Sequence, residues 1–549
     1  MKQLLVAAFA ASLQTLVSGL WPVPAEMTKG NAIISIDVDH LAIVPTSHSC
    51  SILDKAISRY LYMIKKEDFV PPLDYNAPNF VVSAKMTGLN ITIASQDETL
   101  TMDTDESYCL TIAEGTGVLN ANTVYGALRG LETFSQLIVY NYGKHIIKDT
   151  PITISDAPVF KHRGLSLDTA RNYYPLDSLK RTIDGLSYTK MNVLHWHIVD
   201  SHSWPVESKF NPDLFVKGAY GPTMIYTHEQ VSEIIQYAKE RGVRVIPEFD
   251  MPGHTYIVGQ SMPEIMSCLN DQPRWDITAA QPPSGQLNIV KPGAYDFTAN
   301  VVREYSGLFT DNVFHVGGDE VNRKCWLNDI SVQTHLNSTN TTIETVLENY
   351  YDFLYKNLQY RNKVGMCWEE TLMHTNFTVP KDTIIQAWID QTSVVDIVKK
   401  GYRVVASPYM DTYLDCGHGP ILTNMPKGNS WCNPFKSWMR IYDYDPLTNI
   451  TDAASAELVL GGEVALWSEQ SDPVVLDRYL WPRAAAYGET LWSGRNDTAT
   501  GKPRGFDNSA PRIQEHRERL LLRGIAAEPL VPLWCVRNPG MCELPAELF

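Results

Sequence analysis

Several chemistries can be set aside by what this sequence does not contain. Positive charge is scarce: 46 lysines and arginines stand against 62 aspartates and glutamates, leaving a formal net charge of -16. A phosphate backbone needs a basic face, so a nucleic-acid partner is excluded. No Gly-x-Ser-x-Gly elbow is present, which removes the serine hydrolases of that design. No glycine loop is arranged to cradle phosphate, and no His-Glu-x-x-His helix or cysteine cluster marks a metal centre. His195 and His197, two apart on one strand face, could reach a single ion. Without a supporting motif they read as core imidazoles or as support for a site, and no metal or cofactor is expected. Past the N-terminus no apolar run is long enough to cross a bilayer, so no membrane partner is expected either.

Cysteine is sparse, at nine in 549 residues. Its meaning depends on compartment. The first residues, "MKQLLVAAFAASLQTLVSG", carry one lysine, a short apolar stretch and then small residues, which is the pattern of a secretory leader cleaved before Leu20. In an oxidising compartment pairing is the default. The spacing suggests local pairs such as Cys416 with Cys432 and Cys535 with Cys542, although sequence does not fix connectivity. The odd count leaves one thiol over, and Cys367, inside the apolar run "VGMCW", is the candidate for a buried free one. Sequons at Asn90, Asn337, Asn340, Asn376, Asn449 and Asn496 agree with secretion, with lysosome or vacuole as the alternative.

Residues 20–160 mix strands and helices. "IISIDVDH" and "LNITIAS" alternate with period two, while "SILDKAISRYLYMI" and "NTVYGALRGLETFSQLI" have helical spacing, the second with Asn122 or Thr123 as cap. That is the pattern of a small α+β domain. From residue 161 to 549 the rhythm changes to short apolar strands alternating with helices. Eight strand candidates, from "HRGLSLD" to "EVALWSE", predict a (β/α)8 barrel carrying insertions.

The position of the polar residues within these strands is informative. Almost every strand starts apolar and ends in acid, imidazole or indole: Asp168, Asp200, Asp250, Asp319 with Glu320, Glu369 with Glu370, Trp388, and Trp467 with Glu469. In a β/α barrel such ends surround one pocket. Trp368, Trp388 and Trp467 stand there beside acids, and indole faces stack on the apolar faces of sugars. A glycosidase ordinarily places two carboxylates on opposite sides of the bond, which the neighbours Asp319 and Glu320 do not easily do. A substrate whose own 2-acetamido group attacks the anomeric carbon needs only one general acid, so the pattern favours an N-acetylhexosaminide.

The segments "HRGLSLDTARNYYP", "NVLHWHIVDSHSWP", "RVIPEFDMPGH", "HVGGDEV", "WEE", "IIQAW", "GGEVALWSE" and "LWPRAAAYGETLWS" together resemble the β-N-acetylhexosaminidases of glycoside hydrolase family 20. "YLDCGHG" followed by "SWC" is similar to the fungal secreted members, with an animal lysosomal member as the alternative. The resemblance implies an exo-acting, retaining hydrolase that releases terminal N-acetylglucosamine, and N-acetylgalactosamine, from chitin oligosaccharides or glycoconjugates. It implies Glu320 as general acid and then base, and Asp319 as the residue that orients the acetamido nitrogen and stabilises an oxazolinium intermediate. Tyr413 would donate to the acetamido carbonyl, and Trp368, Trp388 and Trp467 would wall its pocket. Arg171 would grip the 3- and 4-hydroxyls, and Asp415 and Glu469 the outer hydroxyls. Asp200 and His254 would support Glu320 from behind. The implied disulfides are Cys50–Cys109, Cys268–Cys325, Cys416–Cys432 and Cys535–Cys542. Homodimers are common in the family and are not readable from the sequence. The Asp-x-x-Asp-x-Asp-x-Glu strand of the other substrate-assisted chitinases is absent.

Overall fold

The computed structural model describes residues 19–75 and 77–544. The leader expected over residues 1–19 lies outside the described residues apart from Gly19. A mixed seven-stranded sheet follows, running from Glu26–Ile36 to Lys144–Asp156. Strand Tyr108–Ile112 shows its logic: Tyr108, Leu110 and Ile112 point inward and are buried, while Cys109 and Thr111 point out to solvent. The inward face is covered by helices α1 (Ser51–Lys66) and α2 (Val124–Leu137), which pack on each other. Helix α2 starts where Thr123 caps it, its hydroxyl accepting from the Gly126 amide at 3.2 Å.

This alternation corrects one expected disulfide. Cys50 immediately precedes α1, on the helix-covered side of the sheet, whereas Cys109 lies on the outer face. Both are free thiols. Cys268–Cys325, Cys416–Cys432 and Cys535–Cys542 are bonded, and Cys367 is buried and free.

The second unit is a closed barrel of eight parallel strands. In chain order they are His162–Asp168, Val193–Val199, Arg244–Phe249, Val313–His315, Val364–Trp368, Ile384–Ala387, Arg403–Ala406 and Val459–Leu466. Helices cover them because parallel strands are buried on both faces. The fifth unit departs from the expected rhythm: only the single turn Glu370–Met373 separates the fifth and sixth strands.

The barrel interior is layered. At its base Val193, Ile246, Val313, Met366, Ile384, Val405 and Leu460, one from each of seven strands, form an apolar floor. Two residues further on, the same strand faces present His195, Glu248, His315, Trp368, Gln386 and Ser407, all buried. The interior therefore turns from hydrocarbon to polar and ionisable groups within one layer, immediately below the mouth. Glu106 joins the two units, accepting from Arg129 Nε at 2.8 Å and from Arg163 at 2.6 Å. The helix Phe506–Leu522 also spans them, with Arg519 donating to the carbonyls of Gln136 and Ile138. Asn337, Asn340, Asn376, Asn449 and Asn496 are exposed, and Asn90 is half-buried. No described helix is long and apolar enough to cross a membrane.

Candidate active site

The fourth strand ends at His315, and the chain then makes two left-handed turns, at Gly317 (φ +67°) and Gly318 (φ +96°). Both positions need glycine for space as well as for angle. A Cβ on Gly317 would lie 1.9 Å from Asp250 Oδ1, and one on Gly318 2.4 Å from Thr371 Oγ1. The glycines therefore make room for Asp250 and Thr371, not for a sugar beside the backbone. Their turn delivers Asp319 and Glu320 to the mouth of the barrel, Glu320 itself at φ +50°.

The two adjacent carboxylates have different surroundings. Glu320 is the more exposed, and its Oε2 lies 3.2 Å from His254 Nε2. His254 Nδ1 in turn faces Asp200 Oδ1 at 3.3 Å. Burial works to raise Asp200, yet Arg171, 2.8 Å away, and His254 hold it well below the usual carboxylate range. His254 is raised well above the ordinary imidazole value because Asp200 and Asp319 outweigh its desolvation. Asp319 sits deeper, its Oδ2 3.7 Å from His254 Nε2, and its Oδ1 has no hydrogen-bond partner. Burial raises Asp319. Burial and then the charge of Asp319 push Asp250 well above the carboxylate range. Asp250 Oδ1 also accepts from the Gly318 amide at 2.8 Å.

Around them lies a cavity of about 460 Å³. Ten of the eleven catalytic and binding residues named from sequence line it: Arg171, His254, Asp319, Glu320, Trp368, Trp388, Tyr413, Asp415, Trp467 and Glu469. Asp200 is fully buried behind them, as support from behind requires. Trp368 and Trp467 have centroids 6.0 Å apart, Tyr413 and Trp467 6.2 Å, and Trp388 and Tyr413 6.5 Å in a stacked arrangement. These four rings make an aromatic box. Two of the three indoles are oriented by carboxylates: Trp368 Nε1 donates to Glu248 Oε1 at 2.8 Å, and Trp388 Nε1 to Glu370 at 3.0 Å. In "WEE", Glu370 thus fixes a pocket wall, while Glu369 accepts from the amides of Trp388 and Ile389 and faces away.

Arg171, Asp415 and Glu469 group together on one side of the box. The Arg171 guanidinium lies over the Trp467 ring at 5.0 Å, and its Nε is unpartnered. Asp415 accepts from the Trp467 amide at 3.4 Å and is pushed up to about 8 by burial and then by Glu469. Polar groups left buried and unpartnered in a cavity carry a cost that a hydroxylated ligand would relieve.

Sequence reading gave no role to Glu248, Asp250 or Glu370, although two of them stand at strand ends. It also missed Trp275, Gln281 and Trp431, which line the cavity from loops. No periodicity marks such residues, and although Trp431 falls within the quoted "SWC", that segment assigned it no role. His195 and His197 do point inward, each set between two carboxylates.

Comparison with known proteins agrees with this geometry. The catalytic-domain profile of glycosyl hydrolase family 20 matches residues 160–495, and a profile described as beta-acetyl hexosaminidase like matches residues 20–137. A chitooligosaccharidolytic beta-N-acetylglucosaminidase of Bombyx mori is 36% identical over 95% of this chain and 89% of its own. A beta-hexosaminidase of Emericella nidulans is 34% identical over 83% of this chain and 80% of its own. Among solved structures, the chitobiase of Flavobacterium johnsoniae superimposes with a TM-score of 0.76 at 28% identity, over 94% of this chain and 74% of that one.

Proposed function

Because this chain belongs to glycosyl hydrolase family 20 and is a glycoside hydrolase of the β-hexosaminidase kind, we propose that it removes terminal N-acetylglucosamine, and N-acetylgalactosamine, from chitin oligosaccharides or glycoconjugates by a substrate-assisted, retaining route. The observation that carries the reading is the unpartnered Asp319 Oδ1 beside an aromatic box, one residue from a carboxylate that faces His254 at 3.2 Å. The box suits a methyl-bearing acetamido group, with Tyr413 donating to its carbonyl oxygen and Asp319 accepting from its N–H. Held in this way, the carbonyl oxygen attacks C1. The glycosidic C–O bond breaks, and the leaving oxygen takes the Glu320 proton. Water then attacks C1 of the oxazolinium ion, the Glu320 carboxylate takes the water's proton, and the bond from C1 to the amide oxygen breaks. Two inversions give net retention.

Arg171, Asp415 and Glu469 meet the hydroxyls of the terminal sugar, while the leaving group extends past Glu320 toward Trp275 and Gln281. That polarity favours exo action. The test is product analysis on chitin oligomers: single sugars released from the non-reducing end, first as the β-anomer, are expected. Internal cleavage or initial α-anomer would refute the reading. Three disulfides suit an oxidising compartment. With the leader sequence and the five exposed sequons they support secretion, with lysosome or vacuole as the alternative.

A further inference from the structure

Below the acid and His254 the polar contacts do not stop at Asp200. His197 Nε2 faces Asp200 Oδ2 at 2.9 Å, and His197 Nδ1 faces Glu248 Oε2 at 2.7 Å. The same Glu248 oxygen lies 2.9 Å from His195 Nε2, whose Nδ1 is 3.0 Å from Glu463 Oε2. Glu463 Oε1 ends the series at His162 Nε2, 2.6 Å away. Imidazole and carboxylate alternate from the first strand of the barrel to Glu320, by hydrogen bonds except at His195 Nε2 and His254 Nε2, which face Glu248 and Glu320 at 2.9 and 3.2 Å without one. A structural core has no need of such an order; parallel barrels fill this space with branched aliphatics.

Glu248 is the branch point. Its second oxygen, Oε1, accepts from the Trp368 indole, so one carboxylate touches both the wall of the aromatic box and the series that ends at the acid. We infer that Glu248 is a positioning residue with two arms, holding Trp368 through Oε1 and setting the protonation of the Asp200–His254–Glu320 group through Oε2 and His197. The inference rests on Glu320 being the acid, as proposed above.

The groups facing Glu248 agree with this assignment. His195 and His197 approach from the second strand, and His315 Nδ1 from the fourth at 3.2 Å. Asp250 and Asp319 lie on the mouth side, where Glu248 raises both. Desolvation works to lower His197, yet Glu248 and Asp200 raise it to about 10, which favours its cation. An amide at position 248 cannot hold that cation. Its loss removes the positive charge nearer to His254 and Glu320, which then keep their proton to higher pH.

The experiment is Glu248→Gln in the full chain, with kcat/KM measured against pH on substrates with poor and good leaving groups. The expected result is an alkaline limb moved up by about half a unit or more, a raised KM for the acetamido sugar through Trp368, and a folded protein by circular dichroism. His197→Gln leaves the Trp368 contact intact and should move the limb alone. It also serves if Glu248→Gln does not fold. The wild-type protein supplies a third readout: imidazole 15N shifts should show His197 doubly protonated at pH 8. An unmoved limb in either folded variant, or a neutral His197, would overturn the inference. Glu320→Gln is run beside them, because its failure to impair poor leaving groups would sink the acid assignment itself rather than the role of Glu248.

Discussion

Glu106 and Asp319 are both carboxylates carried into the interior, and the molecule treats them in opposite ways. Glu106, between the two units, is 4% exposed and accepts from two arginines. Desolvation is outweighed by Arg163 and Arg129, and its carboxyl is held below the ordinary value. Asp319, at the barrel mouth, faces one imidazole at 3.7 Å and leaves an oxygen without a partner. Burial holds it above the ordinary value. A buried charge that is fully answered by its neighbours joins parts of a fold. One left partly unanswered beside a cavity is poised to interact with something that is not protein.

The contrast can be broken most severely at the acid. Glu320→Gln should reduce turnover of substrates with poor leaving groups by about 10³-fold or more while leaving binding nearly intact, since only the proton donor is lost. Steady-state kinetics and inhibitor titration check this, and an unchanged rate would remove Glu320 from the mechanism. The opposite limb of the contrast is Glu106→Gln. Two buried guanidinium groups would lose their anion, at a cost of about 3 kcal/mol or more. Denaturant unfolding should show the loss with kcat unaltered in the surviving folded protein; full stability would mean that the ion triad does not join the units.

Asp319→Asn should separate the two quantities in the other direction. Activity should fall by about 10²-fold through loss of the oriented acetamido group. The melting temperature should hold or rise, because a carboxylate disfavoured by burial is replaced by a neutral amide. A melting temperature that drops with activity would show that Asp319 supports the fold.

The smallest effect concerns pH. Asp415 has a folded value of about 8, above its unfolded one, so the folded state binds the extra proton between the two. Its contribution to stability is complete below the unfolded value and is lost as pH rises through about 8. Glu106 works oppositely, its contribution being lost as pH falls. Calorimetry should find the protein more stable at pH 5 than at pH 8.5, with a gap that Asp415→Asn narrows by about 2 °C. A gap unchanged in that variant would assign the effect elsewhere.

Much of this arrangement was legible in the sequence for one physical reason. Side chains at the ends of parallel barrel strands must converge, so "HVGGDE", "WEE" and "ALWSE" mark the mouth of the barrel in the sequence itself. Helix α2 was legible through its Thr123 cap and apolar spacing. What failed to show was set by tertiary contact. The space used by Gly317 and Gly318 is taken by Asp250 and Thr371, which arrive from the end of the third strand and from the turn Glu370–Met373. The pairing of Cys50 with Cys109 depended on which side of a sheet each faced, and the alternation within Tyr108–Ile112 already carried half of that answer. Glu248 reads as one polar residue in an apolar strand until its four partners converge on it. Trp275 and Trp431 come from loops, where no period exists to betray a function.

The apolar floor formed by Val193, Ile246, Val313 and their neighbours has a consequence for time rather than for geometry. It lies beneath His195 and His197, so a hydron bound for either imidazole enters from the mouth, past Glu320 and down the alternating series. In deuterated solvent those imidazole hydrons should exchange last among the ionisable groups of the chain. A ligand seated in the aromatic box should slow them further, so that the barrel interior acts as a clock for how often the mouth stands open.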